Sequence, residues 1–550
     1  MASTKLSTLW RLVALIFVAA LPAAAQSFRV QCPTSTITHP STLHDNNSEP
    51  AYTGPTTLAV NASGFYAPTA NVQGAIKCQQ VSGGDGYSTM ANGVQTFMFS
   101  FGPLSGLADI ANGLPGTEFP NVFNTPFSGT LMPGDPATTD IANGPGAFTY
   151  NGAVGLTPDL DAMANGTCTA PCLDGHVDPR QIMDVGVMNG NIPAPLVAFD
   201  EDDEMFLTLT NVGMIMRPDL FEQHTIHFHG YPNASSVYDG VPDASVAINI
   251  GGSFTYYYLA PDAGTYFWHC HITPPEHLQM GMVGQLYVRP RQNRVPAGTS
   301  LYTALQAQTG DLRTICNPAA DILCANPLPA LNTGAVATAG NLYVYNDGDG
   351  STQYNVEYPL QIHGFDPNFH FVGMTFNPEA FADMKDKFFL LSGRSYPDTV
   401  TPGPIATESS DGRSHYSEPL PSIINIPVGG KALLRIADLD VSEYQTLASL
   451  GIPMHVVGFN AKLLRDQAGN NTEYYSNSIT LGGGESLDVI LDASDASCGS
   501  TGCAAIRYPV GSTFYLFTPN LDHLSNDQEN FGGLMTEVHI CTSVTNGVCN

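Results

Sequence analysis

The sequence predicts an all-β protein, and three observations carry that prediction. Its 550 residues include 54 Gly and 41 Pro, the composition of a turn-rich chain. Short aromatic or β-branched runs such as Gln95-Thr-Phe-Met-Phe-Ser-Phe101 are bounded by Gly-Pro and Asn-Gly turns. The last third also carries a gapped copy of a strand pattern found in the middle of the chain. A hydrophobic content of 43% is ample for packed cores, and the length suits two to four domains.

Residues 1–25 read as a signal peptide. Lys5 and Arg11 precede the apolar run Leu12 to Leu21, and Ala23-Ala24-Ala25 offers a small-residue cleavage site. The run is too short to span a bilayer, so the expected location is periplasmic or extracellular. Residues 26–180 form a β-rich region with few charges and no assignable role. His39, His44 and His176 there read as surface residues. Setting Cys270 aside, ten cysteines remain, an even number that suits disulfides in an oxidising compartment. Four local pairs suggest themselves, Cys168/Cys172, Cys316/Cys324, Cys498/Cys503 and Cys541/Cys549, which leaves Cys32 with Cys78.

Residues 181–292 carry the chemistry. Val187 to Pro195 and Phe206 to Asn211 read as opening strands. The segment Tyr266-Phe-Trp-His269-Cys270-His271 is followed by His277 and Met282, and His224-Thr-Ile-His227-Phe-His229-Gly230 lies upstream. Side chains alternate faces along a strand, so Cys270 points away from His269 and His271, and His224 points away from His227 and His229. This sorts the donors into two sets. His224, Cys270, His277 and Met282 suit a blue-copper centre, with a thiolate, two imidazoles and a weak axial thioether. His227, His229, His269 and His271 form a four-imidazole cluster behind it. Zinc binds thiolate and imidazole too, but requires no Met and does not explain the alternation. Met280 reads as hydrophobic packing.

These motifs resemble the copper domain of the multicopper oxidases, a superfamily that includes laccases, two-domain blue copper oxidases and copper nitrite reductases. The resemblance covers about Met183 to Pro290 and implies cupredoxin-type Greek-key sandwiches. It also implies that the Cys270 set is a type 1 copper accepting electrons from a reductant. The His227 set would be half of a trinuclear cluster that reduces dioxygen. Asp239, in Tyr238-Asp239-Gly240, falls where such domains place an acid near that cluster, although an Asp-Gly turn explains it equally. The seven-residue spacing from Cys270 to His277 departs from the pattern, being longer than the laccase gap and shorter than that of the nitrite reductases.

Residues 293–335 read as a linker and bridging segment, beginning with the polar, Pro-containing stretch Arg289 to Gly298. Residues 336–550 read as a second cupredoxin-like domain with its ligands erased. Ile452 to Gly458 aligns with His224 to Gly230, and Ser512 to Pro519 with Gly264 to His271, so that only His455 survives. A trinuclear cluster requires four His-x-His pairs, whereas this chain has two. A second chain could complete the cluster, most simply by two-fold pairing. The alternatives are fewer coppers with other chemistry, or a type 1 copper alone in an electron carrier. The rival enzyme is a copper nitrite reductase, in which His455 would stand near a second-domain catalytic histidine. His227 and His271 depart from that family's pattern. His363, His370, His415, His523 and His539 read as structural.

Acidic residues exceed basic ones by 30, which disfavours nucleic acid and anionic membranes as partners and suits cationic ones. The resemblance and the missing His-x-His pairs imply as partners an electron donor (a phenol, a metal ion or a redox protein), dioxygen or nitrite as acceptor, and a further chain.

Overall fold

The computed structural model describes residues 31–106, 109–110, 114–123, 190–214, 216–217, 220–231, 235–260, 262–308, 332–372, 380–408, 414–466, 469–527 and 529–550. The expected signal peptide, His176, the Cys168/Cys172 and Cys316/Cys324 pairs and the start of the strand at Val187 lie outside these residues. Regular structure is dominated by strands, with a few helices of eight residues or fewer among the described residues. None of those helices is long and apolar enough to cross a membrane. Disulfides join Cys32 to Cys78, Cys498 to Cys503 and Cys541 to Cys549.

Two sandwiches build the molecule. In the first, one sheet has the order β2 (Gln95–Pro103), β1 (Ile76–Thr89), β4 (Glu204–Gly213) and β6 (Ser253–Leu259). The facing sheet has the order β3 (Ala194–Asp200), β8 (Val283–Arg289), β7 (Gly264–His269) and β5 (His227–His229). β1 runs parallel to β4, and β3 parallel to β8. The sandwich thus takes half of one sheet from residues that sequence alone places in a separate N-terminal region. Between the sheets lie Phe99, Phe101, Leu207, Leu209, Tyr256, Tyr258, Phe228 and Trp268, all buried. The apolar positions alternate along β4 and β6, as a strand with one core face requires.

The second sandwich repeats this plan. One sheet has the order β10 (Phe388–Leu391), β9 (Val356–Phe365), β12 (Lys431–Asp438), β16 (Glu485–Asp492) and β14 (Met454–Phe459). The other has the order β11 (Ile424–Pro427), β18 (Met535–Cys541), β17 (Thr513–Phe517), β13 (Gln445–Leu450) and β15 (Ser478–Leu481). β9 parallels β12 and β11 parallels β18, as β1 parallels β4 and β3 parallels β8.

The repeat corrects one detail of the sequence alignment. The strand beside β17, as β5 is beside β7, is β13. Ala448 pairs with Phe517 and Leu450 with Tyr515, in the register of His227 with His269 and His229 with Phe267. The segment Ile452 to Gly458, which resembles the His224 segment in sequence, pairs instead with β16 in the other sheet.

The sandwiches pack through β7 and β8 against β9, β12 and β16. This contact is strongly polar. Arg289 Nε donates to Glu357 Oε1 at 2.8 Å, and Arg435 Nε to Glu357 Oε2 at 3.0 Å. Thr265 and Tyr345 hydroxyls each donate to Asp488 at 2.5 Å. All these groups are mostly buried, so their mutual pairing is what makes such an interface tolerable.

Candidate metal centre

The predicted donors converge at one end of the first sandwich. β7 ends at His269, and Cys270 follows in the turn towards α1 (Pro274–Gln279), which carries His277. The backbone closes the loop: Cys270 N–H donates to the Met282 carbonyl at 3.1 Å, and Met282 N–H to the His277 carbonyl at 2.9 Å. Gly281 makes the sharp return between them with φ of 113°. His224 enters from the segment before β5, held by a two-way bridge to Ile248.

The donor atoms of His224, Cys270 and His277 lie within 4.8 Å of one another, and all three residues are buried. His277 Nδ1 is 3.2 Å from Cys270 Sγ, and Thr225 N–H points at the same sulfur at 3.4 Å. Met282 is fully buried in the same core cluster as Cys270, as is Met280. Cys270 is the free cysteine among the described residues. Burial opposes its ionisation, but His277 and His224 outweigh burial and hold the thiol well below its usual range. His277 shows the converse: burial pushes it down, yet Cys270 and Glu222 raise it to about 10. A thiol lowered in this way beside two imidazoles suits a metal ion.

Behind this set lies the second. The donor atoms of His227, His229 and His269 also lie within 4.8 Å of one another, and the His271 ring is 5.0 Å from that of His227. His227 Nδ1 donates to the Asp239 carbonyl at 2.6 Å and His269 Nδ1 to the Cys270 carbonyl at 2.8 Å, which leaves both Nε2 lone pairs for a ligand. His269 Nε2 faces His229 Nδ1 at 3.2 Å. Burial, and then the neighbouring imidazoles, hold His229 at about 4 and His269 well below its usual value. His229 and His269 therefore favour the neutral form, with lone pairs to donate. The Asp239 carboxylate lies 3.7 Å from His227 Nδ1, placed by a turn in which any side chain at Gly240 would strike the Ile226 carbonyl.

His455 is not brought to either set. Carried by β14, it pairs with Glu473 at 2.9 Å and stacks on Tyr475. His523 is likewise occupied, between Gln445 and Glu443. A cavity of about 630 Å³ opens beside His229, His269 and His271, and its far wall comes from the second sandwich, with Asp440, Glu443 and Glu485. Among the described residues, that wall presents carboxylates and no Lys or Arg. Two features escaped the sequence reading. Glu222, two residues before His224, lies 3.4 Å from His277 Nε2. The acidic wall comes from loops more than 150 residues downstream, with no local signal.

The sequence profile of the multicopper oxidase family matches residues 174–293. This segment is a multicopper oxidase domain. Laccase abr2 of Aspergillus fumigatus is 32% identical over 130 residues, covering 23% of this chain and 20% of that protein. Multicopper oxidase MmcO of Mycobacterium tuberculosis is 29% identical over 133 residues, covering 22% and 25%. The chain thus spans about a fifth to a quarter of the length of these relatives. Among solved structures, the multicopper oxidase mgLAC aligns with a TM-score of 0.46 at 14% identity over 86% of this chain and 88% of that one. Copper nitrite reductase from Nitrosomonas europaea aligns with a TM-score of 0.36 at 14% identity over 66% and 87%.

Proposed function

We propose that this chain is an exported copper oxidoreductase of the multicopper oxidase type. It would oxidise a reductant by one-electron steps and pass the electrons to dioxygen. The observation that carries this reading is the position of Cys270. Its side chain belongs to the His224 and His277 donor set, while its peptide neighbours and its carbonyl reach His269 and His271. In this reading His224, Cys270, His277 and Met282 would hold a type 1 copper. His227, His229, His269 and His271 hold part of an oxygen-reducing copper cluster. Copper bound at the two sets would supply one-electron acceptance and four-electron reduction of dioxygen to water.

The protein's part is positional. His277 presents its Nε2 edge towards Glu222 and the donor side, suiting a phenol, a metal ion or a redox protein. Asp239 stands beside His227 as a proton acceptor or donor. A second chain would supply the missing imidazoles. Nitrite reduction is the weaker reading. The cavity wall is acidic, which disfavours an anionic substrate, and His455 is engaged with Glu473 away from the cluster.

Copper counting with electron paramagnetic resonance, on protein of known oligomeric state, tests the proposal. One type 1 signal per chain with additional copper and donor-dependent oxygen uptake is expected. A single copper and no uptake leaves an electron carrier. Asp239→Asn should slow oxygen uptake by about a hundredfold while leaving reduction of the blue centre unchanged.

A further inference from the structure

The acidic wall of the cavity hides a pair of carboxyl groups that share one site. Asp386 precedes β10 and Asp440 follows β12, both buried. They meet over Gly364 of β9, where any Cβ would overlap both carboxyls. Asp386 Oδ1 accepts from Gln279 Nε2 at 3.0 Å. Asp440 accepts from Ser442 N–H at 2.8 Å, Glu443 N–H at 3.1 Å and Gln445 Nε2 at 2.7 Å. The Ser442 hydroxyl bridges the two, close to Asp386 Oδ2 and 3.0 Å from Asp440 Oδ1. A hydroxyl has one proton to give. If Ser442 donates to Asp440 it must accept from Asp386, so the bridge closes only with a proton on one carboxyl. Burial and the charge of Asp440 place that proton on Asp386, whose acid form they favour strongly.

Ser442, Asp440 and Glu443 line the cavity together with His229, His269 and His271. We infer that Asp386, Ser442 and Asp440 form a proton store through which the second sandwich feeds oxygen reduction at the imidazole wall. The inference rests on the oxygen-reducing reading above. Reduction of one dioxygen to two waters consumes four electrons from the reductant and four protons. In each delivery the Asp386 O–H bond breaks as Ser442 takes the proton and hands its own to Asp440. The proton leaves Asp440 through cavity water for the oxygen-derived product, and solvent refills the store through the same hydroxyl.

The other ionisable groups around the pair fit this role. Glu443, with 44% of its side chain exposed, links the wall to solvent and is held by His523 at 2.8 Å. His523 also meets Gln445, so the two position Asp440. Asp438 accepts the Asp440 N–H at 2.9 Å, and its own carboxyl is pushed up by burial. Glu485 is turned to the Gly482 N–H, and His363 to the Leu439 carbonyl. Lys385 and Lys387 flank Asp386 in sequence but are exposed.

The test uses the full copper-loaded chain and the variants Ser442→Ala, Asp386→Asn and Asp440→Asn. Ser442→Ala removes the bridge without altering charge, and so remains informative if a carboxyl variant misfolds. Bleaching of the blue band by a donor without oxygen should match the wild type. Reoxidation by dioxygen should slow by about tenfold and lose its dependence on deuterated solvent. Wild-type rates and isotope effects in Ser442→Ala and Asp386→Asn would overturn the inference while leaving the oxygen reading intact. A wild type that takes up no oxygen overturns the reading itself. Infrared spectra of metal-free protein give an independent arm: a protonated carboxyl band at neutral pH that loses one component in Asp386→Asn, seen in the wild-type-minus-variant difference. If the wild type lacks that band, there is no store.

Discussion

His277 Nδ1 lies 3.2 Å from Cys270 Sγ, the spacing of two donors that share either a proton or a cation. His224 completes the triangle, and no disulfide claims the sulfur. Replacing Cys270 with Ser should therefore remove the intense visible absorption of the copper-loaded protein and leave the fold standing. Visible and far-ultraviolet spectra of the variant check this. A surviving blue band would remove Cys270 from the centre.

Glu222 touches the other edge of the same imidazole, 3.4 Å from His277 Nε2, and is about a quarter exposed. A carboxylate at that edge favours cationic donors over neutral ones. Glu222→Gln should lower kcat/KM several-fold for a metal-ion donor and less for a neutral phenol, the difference shrinking with added salt. Equal losses for both donors would assign Glu222 a purely structural part.

Glu357 ties the sandwiches together. Burial alone would raise its carboxyl, but Arg289 and Arg435 outweigh burial and lower it from 4.5 to about 2. A carboxylate whose folded value is depressed stabilises the fold above its unfolded value, and that stabilisation is lost as pH falls from about 4.5 to about 2. The shift corresponds to about 3 kcal/mol. Glu357→Gln should lower neutral-pH stability by about 3–5 kcal/mol and flatten the acid limb of a denaturation profile. An unchanged acid limb would place the pH sensitivity elsewhere.

Gly484 meets the imidazole cluster from the second sandwich. A Cβ there would sit 3.6 Å from His229 Nε2, an ordinary contact, but φ is +99°. Gly484→Ala should cost about 1–3 kcal/mol in backbone strain without changing the metal stoichiometry. Thermal unfolding and metal analysis separate the two effects. Loss of metal at unchanged stability would mean the turn shapes the site directly.

The grouping of these side chains was legible in the sequence because strand side chains alternate with period two. That rule alone separates Cys270 from His269 and His271, and the geometry follows it. What was not legible depends on pairing across long stretches of chain. Nothing local says that Ile76–Thr89 lies beside Glu204–Gly213. The His455 segment misled for the same reason: its residues resemble the His224 segment, but the position beside β17 is taken by β13. Asp386 and Asp440 acquire meaning only when β9, β10 and β12 bring them over Gly364.

The parallel pairing of β1 with β4 bears on how this protein can be divided. A fragment cut at residue 181 would retain every predicted donor yet lose β1 and β2, leaving β4 with an open, apolar edge primed for self-association. The smallest excisable unit holding the donors begins before Ile76. During synthesis, the sheet that backs Cys270 can close only after more than a hundred intervening residues have emerged.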